Sequence, residues 1–278
     1  MYSYIQKFKD DPDCFAANTK YNYCIAIKQY LDWTQDNQLD WLDNKTIKKW
    51  FDHLELRGAK LSTLRLKLAA LRYFFNFCLE EGFISEIPNL NIELEAVVLE
   101  KKPIMTDTEV LTLCECTESD RDRAMIQTMV DTGLRSSELC NLNIADFDLN
   151  APNLKIAPGK NKTARNMPLT YESAALIKKY LGTRTDSDPA LFITRLGKRF
   201  TRQSLHKLFK KYVRISRIQE NYSSHSCRWR FGTKLADNEF KLQEVANLMG
   251  HLWLQSAKRY IHKSEDKQAE IHHKFYQD

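Results

Sequence analysis

Long apolar runs are missing from this 278-residue chain: none approaches the ~18 residues of a membrane span. The N-terminus, with Lys7 and Lys9 followed by Asp10-Asp11, has no signal-peptide core, so a protein that stays in the cytoplasm is expected. The seven cysteines, at 14, 24, 78, 114, 116, 140 and 227, form no regular framework, and an odd number cannot all pair within one chain. That usage suits a reducing compartment. Cys114-x-Cys116 lacks a second pair at ligand spacing, and no metal-binding carboxylate cluster is visible. Neither a metal nor a cofactor is expected. There is no internal repeat and no low-complexity tract.

What is present is length enough for two compact domains, since domains run to roughly 100–200 residues, with 43% hydrophobic content to fill their cores. The net charge is +6, yet residues 1–94 hold 12 basic and 13 acidic side chains, so the basic excess belongs to the remainder. Mild basicity agrees with a polyanionic partner without establishing one.

From Thr19 to about Ile87 apolar residues recur at three and four (Tyr23, Ile27, Tyr30, Leu31, then Ile47, Trp50, Phe51, Leu54), a pattern that four helices would satisfy. The clearest runs from Ser62, read as an N-cap, through Leu64, Leu68, Leu71, Phe74, Phe75 and Cys78, and stops near Gly82. Its other face carries Lys60, Arg65, Lys67 and Arg72 without an acid among them, which reads either as a solvated face or as a contact with a DNA backbone. Pro88 and residues 93–103 break the periodicity. This places an N-terminal helical domain at 1–94, a linker at 95–104 and a second domain at 105–278. Thr106-x-x-Glu109 has capping-box spacing and opens a new helix. Phe147–Leu149, Leu154–Ala157 and Asn166–Leu169 are short extended runs separated by turn residues, so a small antiparallel sheet inside a mainly helical domain is expected. Helices resume from Arg202.

Four groups of residues carry chemistry. Arg135 and Glu138, three apart after a Gly turn, share a helix face, as a purely structural ion pair also would. His225-x-x-Arg228 sets an imidazole and a guanidinium side by side on a helix, although that motif alone is common. His251 follows Gly250, and Tyr260 lies nine residues further on. At ~100° per residue, nine residues amount to a half-turn of phase, so His251 and Tyr260 face opposite ways on a continuous helix. Gly250, as a left-handed residue ending the helix that holds Val245 and Leu248, supplies the break.

In this order and spacing the residues resemble the tyrosine recombinases, or phage integrase family, which includes the Xer, Cre and lambda-type enzymes. The resemblance covers nearly the whole chain and implies a mainly α fold with a small antiparallel β-sheet: a SAM-like core-binding domain followed by a catalytic domain. It also implies a lysine on a β-hairpin turn, for which Lys160, eight residues before Pro168, is the choice and Lys162 the alternative. It further implies a double-stranded DNA recombination site as partner and a homo-oligomer on DNA, a tetrameric synapse, with no membrane association. Trp229-Arg230, where many relatives have His-Thr, and Leu252-Trp253-Leu254 after the motif histidine depart from the family pattern without removing a catalytic group.

The chemistry is consistent with that resemblance. A phosphodiester repels nucleophiles, and in the absence of a metal two arginines, Arg135 and Arg228, neutralise the five-coordinate transition state through paired N–H donors. Tyr260 is the implied nucleophile. A phenol, of pKa about 10, needs help to ionise but departs readily from phosphate, which makes transfer reversible. Lys160 is implied as the acid for the departing 5′-oxygen, His225 as proton acceptor or orienter, His251 as a phosphate donor and Glu138 as support behind them. Lys258-Arg259 read equally as phosphate-facing or solvated, and Ile271 and Phe275 in the tail could dock on a neighbouring protomer or on their own domain. A type IB topoisomerase and a non-catalytic DNA-binding accessory protein are the competing readings.

Overall fold

The structure is a computed structural model and describes residues 2–11, 17–94, 103–148, 150–158, 164–219, 221–238 and 240–250. The chain divides into two compact units, residues 1–101 and 102–278.

The first unit is helical: α1 (Tyr2–Asp10), α2 (Ala17–Asp36), α3 (Asn44–Leu56) and α4 (Leu61–Glu80). Ile27, Tyr30, Leu31 and Thr34 make the buried stripe of α2, spaced as one helical face requires. They meet Ile47, Trp50 and Phe51 of α3 and Leu64, Leu68, Leu71, Phe74 and Phe75 of α4. Tyr30 is fully buried, and its hydroxyl donates to the Trp41 carbonyl at 2.7 Å, which removes the desolvation cost of burying it. Asp43 caps α3 by accepting from the Lys45 and Thr46 amides.

Two details differ from the sequence reading. Only three of the four helices lie between Thr19 and Ile87; the fourth, α1, precedes them and brings Phe8 edge-on to Phe74 and Phe77, at 6.0 and 5.4 Å. After α4 the chain turns at Gly82 (φ +71°) and continues without helix to residue 94, Ile84 and Leu90 sealing the core. Ser62 is not the N-cap of α4: Lys60 holds that position with extended backbone, and Ser62 sits in the first turn.

The second unit runs α5 (Asp107–Glu115), α6 (Asp120–Thr132), α7 (Ser136–Asn141), a 3-10 turn (Ile144–Asp146), β1 (Phe147–Asp148), β2 (Asn153–Ile156) and β3 (Arg165–Pro168). It continues with α8 (Tyr171–Gly182), α9 (Arg202–Ile215), α10 (Ser224–Asp237) and α11 (Leu242–Met249). The sheet is antiparallel in the order β1-β2-β3, with Phe147 opposite Leu154 and Leu154 opposite Met167. Those three residues point into the core and the alternate ones outward, the period-2 pattern of a half-buried sheet. The fold is mainly α with this small sheet.

The centre is α6, whose Ala124, Met125, Ile126, Met129 and Val130 are buried against α5, α8 and α10. Asp131 ties α6 to the start of α8 by accepting from the Thr170 and Ser173 hydroxyls, at 2.5 and 2.7 Å. Thr106 and Glu109 form the expected capping box at the start of α5. Gly133 ends α6 in the left-handed region (φ +57°), and a Cβ there would lie 2.6 Å from the Phe231 ring of α10. Glycine is therefore required twice over, by the turn and by the close approach of α10.

Candidate active site

The turn at Gly133 delivers Arg135 to the N-cap of α7 with its side chain 28% exposed. Glu138, one turn on, accepts from the Arg135 backbone N–H at 2.9 Å and from its guanidinium at 2.8 Å. A third group, Arg165 at the start of β3, meets the same carboxylate: Nη1 donates to Oε1 at 3.3 Å and Nη2 to Oε2 at 3.0 Å. Burial pushes the Glu138 carboxyl up, but the Arg165 hydrogen bond, the Arg135 N–H and the two positive charges outweigh it and hold the group at about 2. It is ionised at any ordinary pH and fixes two guanidinia.

The second motif sits on α10. Ser224 and Ser136 share a hydrogen bond at 3.0 Å, joining the first residues of α10 and α7. This brings His225-x-x-Arg228 beside Arg135. His225 is exposed, while Arg228 is 2% exposed, donating from Nη1 to the Gly133 carbonyl at 2.8 Å and from Nη2 to the Met249 carbonyl. Trp229 packs beside Val245, Ala246 and Met249. Arg230 fastens α10 to the second unit's beginning, with Nε on the Met105 carbonyl at 3.1 Å and Nη2 on Asp107, which also accepts from Lys234 at 2.5 Å. The departure from the family pattern at Arg230 is thus a scaffold contact.

All of this converges on the end of α11. Gly250 closes the helix at φ +60°, as its position in the sequence implied. The last carbonyls of a helix lack partners within it and carry its negative dipole end. Here guanidinia fill them: Arg165 Nε donates to the Leu248 carbonyl at 3.1 Å, Arg135 Nη1 to Met249 at 3.4 Å and Arg135 Nη2 to Gly250 at 3.2 Å, alongside Arg228 on Met249. A Cβ on Gly250 would lie 2.6 Å from Arg165 Nη1.

The sequence reading missed Arg165. A basic residue opening a strand looks ordinary, and only its distance from Glu138 gives it away. A second omission is α9, which carries Arg202, His206, Lys207, Lys210, Lys211 and Arg214 and no acid. Leu205, Phe209, Tyr212 and Val213 bury the opposite face, so Arg202, His206, Lys207 and Arg214 are exposed together. That the helix has no acid was visible in the sequence.

Of the expected residues, Arg135, Glu138 and Arg228 belong to this cluster, and His225 lies exposed on α10 three residues before Arg228. Lys160, Lys162, His251, Tyr260 and the tail residues Ile271 and Phe275 lie outside the described residues. In the first unit Lys60, Arg65 and Arg72 are exposed. Lys67 is not: it is 7% exposed, its ammonium donates to Gln29 and lies 5.0 Å from the Trp50 ring centroid, and burial lowers its pKa. Its place three residues after Leu64 and four before Leu71 puts it in the apolar stripe, so its charge cannot form part of the exposed face.

Among the described residues no group of His, Cys, Asp and Glu is arranged to hold a metal ion, and no helix is long and apolar enough to cross a membrane. The chain matches the family model for the phage integrase family over residues 103–267 and that for the phage integrase N-terminal SAM-like domain over residues 14–82. It belongs to the phage integrase family, the tyrosine recombinases, enzymes that cleave and rejoin DNA. Tyrosine recombinase XerD of Staphylococcus epidermidis is 26% identical over 93% of this chain and 92% of its own length. XerC of Vibrio parahaemolyticus is 30% identical over 74% of this chain and 68% of its own. The fold is that of the Tn1549 transposon integrase solved with transposon right-end DNA (TM-score 0.79, 17% identity, 97% of each chain). It is also that of XerH solved with palindromic difH (TM-score 0.73, 23% identity, 92% of this chain and 78% of that one).

Proposed function

We propose that this recombinase acts through Arg135, Lys160, His225, Arg228, His251 and Tyr260 on a double-stranded DNA site. The Tyr260 oxygen attacks the scissile phosphorus and forms a 3′-phosphotyrosyl bond as the phosphorus–5′-oxygen bond breaks. Lys160 gives a proton to the departing 5′-oxygen, and His225 accepts or orients the phenol's proton. Arg135, Arg228 and His251 hold the non-bridging oxygens, where charge accumulates in the transition state. A 5′-hydroxyl from another strand then reverses the step, so exchange needs no external energy source.

One observation carries this reading. Arg135 and Arg228, from separate helices, converge on the Met249 carbonyl, the peptide group two residues before His251. Residues 1–94 are the core-binding domain, residues 95–104 the connector and residues 105–278 the catalytic domain. Lys60, Arg65 and Arg72 of the first and the exposed bases of α9 in the second meet phosphates. XerH and the Tn1549 integrase were solved on DNA, which agrees with this assignment. Exchange between two sites requires four strand cuts, hence a tetramer on paired DNA. The six described cysteines are free thiols, in keeping with work in the cytoplasm.

The test is a substrate nicked beside the cleavage site, which traps a covalent protein–DNA adduct. The wild-type chain is expected to form it and Tyr260→Phe is not; an adduct that persists in Tyr260→Phe refutes the assignment. Loss of the adduct in Lys162→Ala but not in Lys160→Ala would move the acid by two residues.

A further inference from the structure

We propose that Arg165 is a positioning residue for strand cleavage: its guanidinium orients Arg135 through Glu138 and fixes the turn of α11 that leads to His251. The inference rests on the recombinase reading above, in which Arg135 clamps phosphate.

The geometry uses the whole fork of the guanidinium. Nη1 and Nη2 hold the two oxygens of Glu138, and Nε holds the Leu248 carbonyl. The side chain is 12% exposed and lies against Gly250, where there is no room for a Cβ. Glu138 in turn receives Arg135 through both its backbone N–H and its guanidinium. Without Arg165, each oxygen keeps a single donor, the Arg135 N–H on Oε2 and its guanidinium on Oε1, and the carboxylate that aims Arg135 loses its anchor to β3. Arg165 also opens β3, pairing with Ile156 across the hairpin whose connecting residues include Lys160. One side chain therefore joins the strand that leaves the hairpin to the clamp and to the approach to His251. Lysine cannot replace it, because a single ammonium lacks the planar fork that spans a carboxylate and a carbonyl together.

Among the described residues the charged groups facing Glu138 are Arg135 from its own helix and Arg165 from β3, and the end of α11 beside them presents backbone carbonyls. Removing Arg165 lets the Glu138 carboxyl rise toward its ordinary range, so cleavage acquires a dependence on that group at mildly acid pH.

The experiment compares full-length wild type, Arg165→Lys, Arg165→Ala and Arg165→Ala/Glu138→Gln. It measures DNA affinity, the single-turnover rate of adduct formation on the nicked substrate and the pH profile of that rate. Arg165→Lys is expected to bind DNA like the wild type and to form adduct at least about tenfold more slowly, the pattern of a lost transition-state interaction. Arg165→Ala is expected to add an acid limb to the profile that Glu138→Gln removes. Should Arg165→Ala fail to fold, the rate and profile of Arg165→Lys decide. A wild-type rate and profile in Arg165→Lys, a parallel loss of affinity and rate, or an acid limb that survives Glu138→Gln each overturn the proposal. A wild-type chain that forms no adduct sinks the recombinase assignment itself, whereas normal wild-type adduct with an indifferent Arg165→Lys sinks only the role of Arg165.

Discussion

Arg135 and Arg228 donate to the same backbone oxygen, that of Met249. The groups assigned to the phosphate are therefore also the caps of α11, and removing either has two consequences of different size.

Arg228→Ala is expected to destabilise the full chain by about 2 kcal/mol or more, because it leaves the buried Gly133 carbonyl without a donor and the Met249 carbonyl with only that of Arg135. The Gly133 carbonyl has no other donor among the described contacts, and the side chain is 2% exposed. Arg135→Ala, at a side chain 28% exposed, is expected to cost less, since water can reach what it leaves. Chemical denaturation of the two variants checks the order; equal stabilities would show that the Arg228 contacts contribute little.

Gly250→Ala and Gly133→Ala are both expected to destabilise. Each adds a Cβ at positive φ, which costs about 1 kcal/mol, and overpacking adds roughly 1–3 kcal/mol more. The atoms met are Arg165 Nη1 and Phe231 Cδ1, both at 2.6 Å. The two should separate in function: Gly250→Ala displaces Arg165 and slows adduct formation beyond what stability predicts, while Gly133→Ala disturbs the packing of α6 on α10. Rates measured well below each variant's melting temperature test this distinction.

Glu138 sets an acid limit to stability. Its folded pKa, about 2, lies below its ordinary 4.5, so its contribution is complete above about pH 5 and is lost as pH falls toward 2. The shift corresponds to about 3 kcal/mol at neutral pH, as an order of magnitude. Glu138→Gln should be less stable than wild type at pH 7 and approach it near pH 2. A stability gap that stays constant across that window would contradict the account.

Lys67→Met is expected to leave both DNA affinity and its salt dependence unchanged, since the ammonium is spent on Gln29 and Trp50. Arg65→Ala, or Lys207→Ala on α9, should each reduce the slope of log affinity against log salt by about one, the signature of one lost phosphate contact. Filter binding at several salt concentrations distinguishes them, and a slope change in Lys67→Met would return that lysine to the interface.

What was legible in the sequence was local. The Thr106–Glu109 box, the turn at Gly133, the three strands and the left-handed Gly250 each depend on residues a few positions apart, and each stands where spacing put it, save that β2 and β3 begin and end one residue earlier than expected. What escaped was either non-local or misread by charge. Arg165 reaches Glu138 and Leu248 across the fold, and nothing adjacent to it announces either partner. Lys67 was read by its charge, although its helical phase with Leu64 and Leu71 already assigned it to the core. Phe8 sits on so short a helix that its periodicity gave no signal, and only the aromatic cluster around Phe74 and Phe77 explains its burial.

The capping of α11 by Arg135, Arg165 and Arg228 also bears on how descent with loss of activity leaves its trace. A lineage that abandoned strand cleavage would still need those guanidinia to keep α11 folded, so their presence in a relative records the architecture as much as the chemistry. Tyr260 is assigned no such second task in this scheme. On that assignment, its substitution would end strand cleavage while the guanidinia that cap α11 stay, turning the enzyme into a DNA-binding protein.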